Sequence, residues 1–239
     1  MKMINVRSGS DLSRITTISF DGDDTLWDFR SAMENALGLT LRQLRKVVES
    51  DATQRLTVQE MIVIRDRVAY ELGTAVNLDE IRHAAFVRTL EYVGAPSEEI
   101  AGNLFRFYMD ARLRGTKLYT EVPAALSRLE GAYRIGLITN GNSKPVVTRI
   151  PVKFDFTVFA QDCGFSKPDP HIFRLALTAS SCEPEEVLHV GDSLSDDVAG
   201  ANNSGLLSAW MNRQCLKNET QVTPDLAIRD LNDLVTILV

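Results

Sequence analysis

One break in periodicity constrains this chain more than any other feature. A β-branched run, Ile15–Phe20, reads as a strand and leads straight into Asp21-Gly22-Asp23-Asp24-Thr25. From Ser31 to Arg114, about 85 residues, the apolar spacing is helical and no convincing strand occurs. After Gly115 strand-like and helix-like segments alternate to the end. Such alternation calls for a parallel sheet covered on both faces. The predicted fold class is therefore α/β. A Rossmann-like, doubly wound parallel sheet is expected from residues 1–28 and 116–239, with an all-helical insert, residues 29–115, after its first strand.

The insert divides into four predicted helices. The first runs from Ser31 to Glu49. In the second, Thr57 and Glu60 form a capping-box pair ahead of the stripe Val58, Met61, Ile62, Ala69 and Leu72. The third, Asp79–Val93, is stopped by Gly94 and Pro96. The fourth starts at Ser97 as N-cap and carries Ile100, Leu104, Phe107, Tyr108 and Ala111 on one face. Beyond the insert, strands are predicted at Arg134–Ile138, Phe156–Ala160, Val187–Val190 and Leu206–Met211. The helices between them are predicted at Pro123–Glu130, after Ser143, at Pro170–Ala179 and at Ser195–Asn203. A short strand and helix close the chain.

Charge narrows the function classes. The 239 residues carry 26 Lys+Arg against 32 Asp+Glu, a net charge of −6. That balance argues against a general nucleic-acid or anionic-membrane binder, since either needs a basic face. No apolar run approaches the roughly 18 residues of a membrane span. Residues 1–14 lack the apolar stretch of a signal peptide. Cys163, Cys182 and Cys215 include no CxxC pair and fit a reducing, cytoplasmic setting. The acidity has an address. Phe29–Thr116 holds 12 basic and 12 acidic residues, so the whole excess lies outside the insert. Seven of those outer acids are Asp21, Asp23, Asp24 and Asp28, then Asp192, Asp196 and Asp197.

Both acidic groups follow predicted strands, and the carboxyl ends of parallel strands line one ligand-binding edge. Asp21 and Asp192 can meet there, although about 170 residues separate them. Two carboxylates at one point repel and resist desolvation unless a cation joins them. Hard oxygen ligands with room for water and phosphate suit Mg²⁺. A third strand end reads Ile138-Thr139-Asn140-Gly141, whose hydroxyl, amide and backbone N–H groups can hold phosphate oxygens. Lys167, in Ser166-Lys167-Pro168-Asp169-Pro170, is flanked by residues that fix the backbone.

These four pieces, in this order, resemble the motifs of the haloacid-dehalogenase-like superfamily, in the branch with a helical cap between its first and second motifs. DxDxT is Asp21 to Thr25, the Thr-Asn pair is Thr139-Asn140, the lysine is Lys167, and GDxxxxD is Gly191-Asp192 through Asp197. The resemblance implies a phosphatase acting on a small phosphorylated metabolite. Asp21 would be the nucleophile and Asp23 the general acid–base. Mg²⁺ would be bound by Asp21, the Asp23 carbonyl, Asp192 and Asp197, with Asp196 the alternative to Asp197. Thr139, Asn140, Gly141 and Lys167 would bind phosphate. Dehalogenases of the family lack the second Asp of motif one, whereas Asp23 is present here. Thr120-Glu121 departs from the Pro-Gly common in relatives, a change expected to affect only a turn.

The insert is expected to act as a lid hinged at Asp28–Arg30 and Gly115–Lys117. Arg82, His83, Arg88, Tyr108, Arg112 and Arg114 are its candidate substrate contacts. Trp27 could line the pocket, and Trp210 reads as core. The competing classes are a phosphomutase of the same family and a phospho-accepting signalling protein. A signalling receiver uses similar strand-end residues but carries no four-helix insert.

Overall fold

The computed structural model describes residues 5–6, 11–73, 77–143, 150 and 152–239. The chain forms two compact units. One joins the residues up to Asp28 to Leu118–Val239, and the other is Phe29–Lys117.

The first unit is built on a seven-stranded sheet. Its strands are β1 (Asn5–Val6), β2 (Thr17–Phe20), β3 (Arg134–Thr139), β4 (Phe156–Phe159), β5 (Val187–Gly191), β6 (Leu207–Met211) and β7 (Leu226–Ile228). They lie in the order β1-β7-β6-β5-β2-β3-β4. All neighbours pair in parallel except β1, which runs antiparallel to β7 at the edge. The sequence reading missed this two-residue strand, since a run so short carries no periodicity. From β2 the chain winds outward through β3 and β4, then returns to β5 on the other side of β2. The crevice beyond the carboxyl ends of β2, β3 and β5 is therefore the switch point of the sheet, where α/β folds bind ligands.

Strands buried on both faces read as continuous apolar runs, and Ile18, Phe20, Leu137, Leu188 and Val190 are fully buried. Ile138 and Phe156 pack with Ile172 and Phe173 in one of the unit's apolar clusters. Each such side chain contributes about 1.5–3 kcal/mol on burial. Ile172 and Phe173 lie on the helix Pro170–Ser180, which Asp169 caps by accepting from the His171 N–H at 2.8 Å. The expected helix at Ser195–Asn203 opens instead as a π-helical turn, Leu194–Val198, before continuing as Ala199–Asn203. The helix expected after Ser143 lies outside the described residues.

The second unit has its own core, in which Leu37, Leu44, Leu56, Met61, Phe86, Leu90 and Leu104 are buried together. Its helices are α1 (Phe29–Val47), α2 (Asp51–Arg55), α3 (Val58–Leu72), α4 (Leu78–Tyr92) and α5 (Glu98–Gly115). The capping box forms, with Glu60 N–H donating to Thr57 Oγ1 at 3.2 Å and Thr57 N–H to Glu60 Oε2 at 2.8 Å. The five-residue α2, capped by Ser50, is too short for a periodic stripe and was not anticipated. Several residues expected to contact substrate are used within this unit. Arg112 is fully buried and Tyr108 nearly so, and Arg82 pairs with Asp79 at 2.8 Å. Arg88 pairs with Glu71, and Arg114 with Asp110. Among the described residues, no helix is long and apolar enough to cross a membrane.

Candidate active site

Asp21 stands one residue past β2, and its N–H donates to the Val190 carbonyl at 2.8 Å. The ladder to β5 is thereby extended, and Asp21 is placed beside the end of the strand that leads into Asp192. Among the described residues, Asp21, Asp192 and Asp197 form an acidic group whose facing oxygens lie within 4.8 Å of one another.

Lys167 fills the buried side of this group. Its Nζ donates to Asp21 Oδ1 and Asp197 Oδ1, both at 2.6 Å, and to the Ile138 carbonyl at 3.0 Å. Three donors meet three acceptors, so the ammonium is saturated. Burial alone would push the Lys167 pKa down, but the Asp197 and Asp21 carboxylates outweigh it and hold the ammonium above the ordinary lysine range. Burial likewise opposes ionisation of Asp197, yet Lys167 and the hydrogen bond from His189 keep its carboxyl below the usual carboxylate range. Asp21 goes the other way. Burial, reinforced by the neighbouring aspartates, raises it well above the ordinary value despite Lys167. Asp192 is pushed up to about 7, by burial first and then by Asp197 and Asp24. Its outer face is exposed, so solvent screening blunts that shift without reversing it.

Of the other predicted residues, Asn140 is tied to Lys167, while Thr139 and Asp23 bond to Gly141 and Trp27. Asn140 accepts from the Lys167 N–H at 2.7 Å and donates to the Lys167 carbonyl at 2.9 Å. Its side-chain amide therefore clamps the lysine loop. Thr139 Oγ1 accepts from the Gly141 N–H at 3.0 Å. Asp23 is half-buried, and its Oδ1 accepts from Trp27 Nε1 at 2.6 Å. Of the two adjacent acids of motif four, Asp197 faces Lys167 and Asp21. Asp196 bonds to Ser195 and stays outside the group.

Three contributors were not assigned to the site from the sequence. His189, fully buried on β5, meets Asp197 Oδ1 through Nε2 at 3.1 Å and Ser19 Oγ through Nδ1 at 2.9 Å. A carboxylate only accepts, so Nε2 carries the proton and Nδ1 takes the Ser19 hydroxyl hydrogen. Burial pushes His189 down, in keeping with a neutral ring. Trp210 does lie in the core, but its Nε1 also donates to the Asp192 carbonyl at 3.0 Å. Arg213 gives the departure at Glu121 a purpose beyond a turn. It donates to Glu121 at 2.7 Å and to the Thr25 carbonyl of motif one at 2.6 Å, and its guanidinium lies 3.6 Å from the Tyr119 ring centroid. The alternation of β5 could have drawn attention to His189, since a polar residue there interrupts an apolar run.

The His189 contact makes a prediction. His189→Leu removes a donor to Asp197 and leaves the Ser19 hydroxyl without its partner, an expected loss of about 1–3 kcal/mol. His189→Gln can place an amide N–H near the Nε2 position and should recover part of that loss. Denaturant midpoints of the two variants check this, and equal losses would show that the Asp197 bond is immaterial.

Residues 15–205 match the haloacid dehalogenase-like hydrolase family, and the chain belongs to that family. It is 32% identical over 162 residues to the phosphoserine phosphatase of Thermus thermophilus, a match covering 64% of this chain and 63% of that protein. Among solved structures, the putative HAD-hydrolase YfnB of Bacillus subtilis, bound to magnesium, superposes with a TM-score of 0.75 at 25% identity, over 94% of this chain and 99% of that one. A 2-haloacid dehalogenase from Pseudomonas syringae pv. Tomato also gives 0.75, at 29% identity, over 94% of this chain and 98% of that one.

Proposed function

We propose that this chain is a Mg²⁺-dependent phosphatase that hydrolyses a small phosphorylated metabolite through a phosphoaspartyl intermediate. The observation that carries the reading is the pair Asp21 and Asp23. Asp21 is buried against Lys167, and Asp23 is held beside it in a separate hydrogen bond. Displacement of halide needs only the first carboxylate, whereas cleavage of a phosphate ester needs an acid for the leaving oxygen. The similarity to phosphoserine phosphatase points the same way. The three free cysteines accord with a cytoplasmic enzyme.

In this reading Asp21 attacks phosphorus in line, and the ester P–O bond breaks as the new bond forms. Asp23 gives its proton to the departing oxygen. It then takes a proton from the water that hydrolyses the acyl phosphate, which restores Asp21 and releases phosphate. Such an acid–base group contributes about 10²–10⁴ in rate. Thr139 has its hydroxyl proton left to donate to a phosphoryl oxygen, and Lys167, whose three protons are already bonded, stabilises those oxygens through its charge. Asn140 acts by holding the Lys167 loop, and Gly141 shapes the turn beside it.

The acidic group suits a hard divalent cation, because burial and mutual repulsion raise two of its acids, Asp21 and Asp192. Asp21, the Asp23 carbonyl and Asp192 would hold Mg²⁺, with Asp197 adjoining through Lys167. When bound, the ion neutralises charge on the phosphoryl oxygens.

A panel of phosphate esters assayed with Mg²⁺ and with excess chelator tests the reading. Turnover with Mg²⁺ and none in chelator is expected, and full activity in chelator would contradict the metal requirement. Stability should follow. Acids with raised folded pKa values make the metal-free protein lose stability as pH rises from about 4 to 7, because the folded state then holds more protons than the unfolded one. Mg²⁺ removes that penalty. At a hundredfold excess over its Kd it should stabilise by about 2.7 kcal/mol. The rise in melting temperature should be larger near pH 8 than near pH 5, where protons compete for the same carboxylates.

A further inference from the structure

The turn after β2 is closed by Leu26 N–H on the Gly22 carbonyl at 2.9 Å and by Asp24 N–H on the Trp27 carbonyl at 2.8 Å. It folds the fully buried Trp27 back over Gly22, so closely that a Cβ at residue 22 would fall 2.2 Å from the indole ring. Folded in this way, Trp27 aims Nε1 at Asp23 Oδ1, 2.6 Å away. The other carboxylate oxygen leans on the motif-two turn, where a Cβ at residue 141 would fall 2.4 Å from Asp23 Oδ2. The Trp27 backbone forms bridges to Asp23 and to Leu118. The bridges fix the main chain that carries the indole, and full burial packs the ring on all sides.

We propose that Trp27 is a positioning residue for the general acid–base. Its indole N–H and the bare backbone of Gly141 confine the Asp23 carboxyl group to the orientation from which it serves the leaving oxygen. This rests on the phosphatase reading above. In the first half-reaction an Asp21 oxygen bonds to phosphorus, the ester P–O electron pair passes to the leaving oxygen, and the Asp23 proton follows it there. An alkoxide needs that proton. A dinitrophenolate leaves as a stable anion and does not. A misplaced Asp23 therefore penalises alkyl esters selectively.

The test is kcat/KM, which covers steps only up to departure of the alcohol, for an alkyl phosphate and for 2,4-dinitrophenyl phosphate in the full-length enzyme with Mg²⁺. Trp27→Phe deletes the N–H. Replacing Trp27 with benzothienylalanine deletes it without changing the ring's shape, and carries the test if the Phe variant does not fold. The expected result is a loss of about 10–100-fold for the alkyl ester and less than about threefold for the dinitrophenyl ester. Asp23→Asn should show the same split more strongly. Equal losses for the two esters would reduce Trp27 to packing, and no loss in either would remove it from catalysis. Those two outcomes overturn the positioning role alone. A wild-type protein that turns over neither ester overturns the phosphatase reading and this inference with it.

Discussion

Asp21→Asn is expected to abolish turnover, by on the order of 10⁴-fold or more, while leaving the fold in place. The amide matches the carboxylate in shape but cannot form a phosphoaspartate, and loss of a covalent nucleophile is among the largest single-residue effects in catalysis. Little structural damage should follow. Asp21 is a carboxyl that burial and the neighbouring aspartates already disfavour as an anion. Lys167 would keep its bonds to Asp197 and the Ile138 carbonyl. Turnover of a reactive phosphate ester, read beside a thermal melt, checks both halves. Activity above a few per cent of wild type in a folded, clean preparation would remove Asp21 as the nucleophile.

The acids and the lysine were legible in the sequence because the physics that gathers them is local. Each follows a strand or precedes a helix, and a parallel sheet delivers such positions to one edge whatever their separation along the chain. The five-residue offset from Asp192 likewise favoured Asp197 over Asp196, and it is Asp197 that faces Lys167. What sequence could not supply were partners chosen by tertiary contact. His189 stands out as a polar residue in an apolar run, but its link to Ser19 follows from β2–β5 pairing in register, which the run does not disclose. Arg213 reaches the Thr25 carbonyl across 188 positions of sequence, and nothing near it announces that contact. Asn140 is informative in a different way. The motif suggested a phosphate ligand, whereas its side chain spends both ends on the Lys167 backbone. Elements too short to show a period, β1 and α2, were also beyond reach.

Lys167→Met should cost both catalysis and stability, and the pH dependence of the loss distinguishes the charge from mere packing. In the wild type the ammonium is paired with two buried carboxylates and stays protonated throughout the neutral range. Removing the cation of such a set leaves buried carboxylates uncompensated, typically a loss of about 3–5 kcal/mol. In the wild type Asp197 has a lowered folded pKa, so its contribution is present above the ordinary aspartate range and is lost only as pH falls below it. Without Lys167 both Asp21 and Asp197 face burial and each other with no cation. Asp21, raised already, loses the one charge that held it down, and Asp197 is no longer lowered, so the variant gains stability as pH falls through the neutral range toward the ordinary aspartate range. The deficit against wild type, measured by urea midpoints without metal, should be largest at the higher pH and shrink on acidification. A deficit that stays constant would mean that lost packing, rather than an unpaired charge, is responsible. Lys167→Arg should not rescue either property, because a planar guanidinium cannot place three bonds on Asp21, Asp197 and the Ile138 carbonyl in the space of one ammonium.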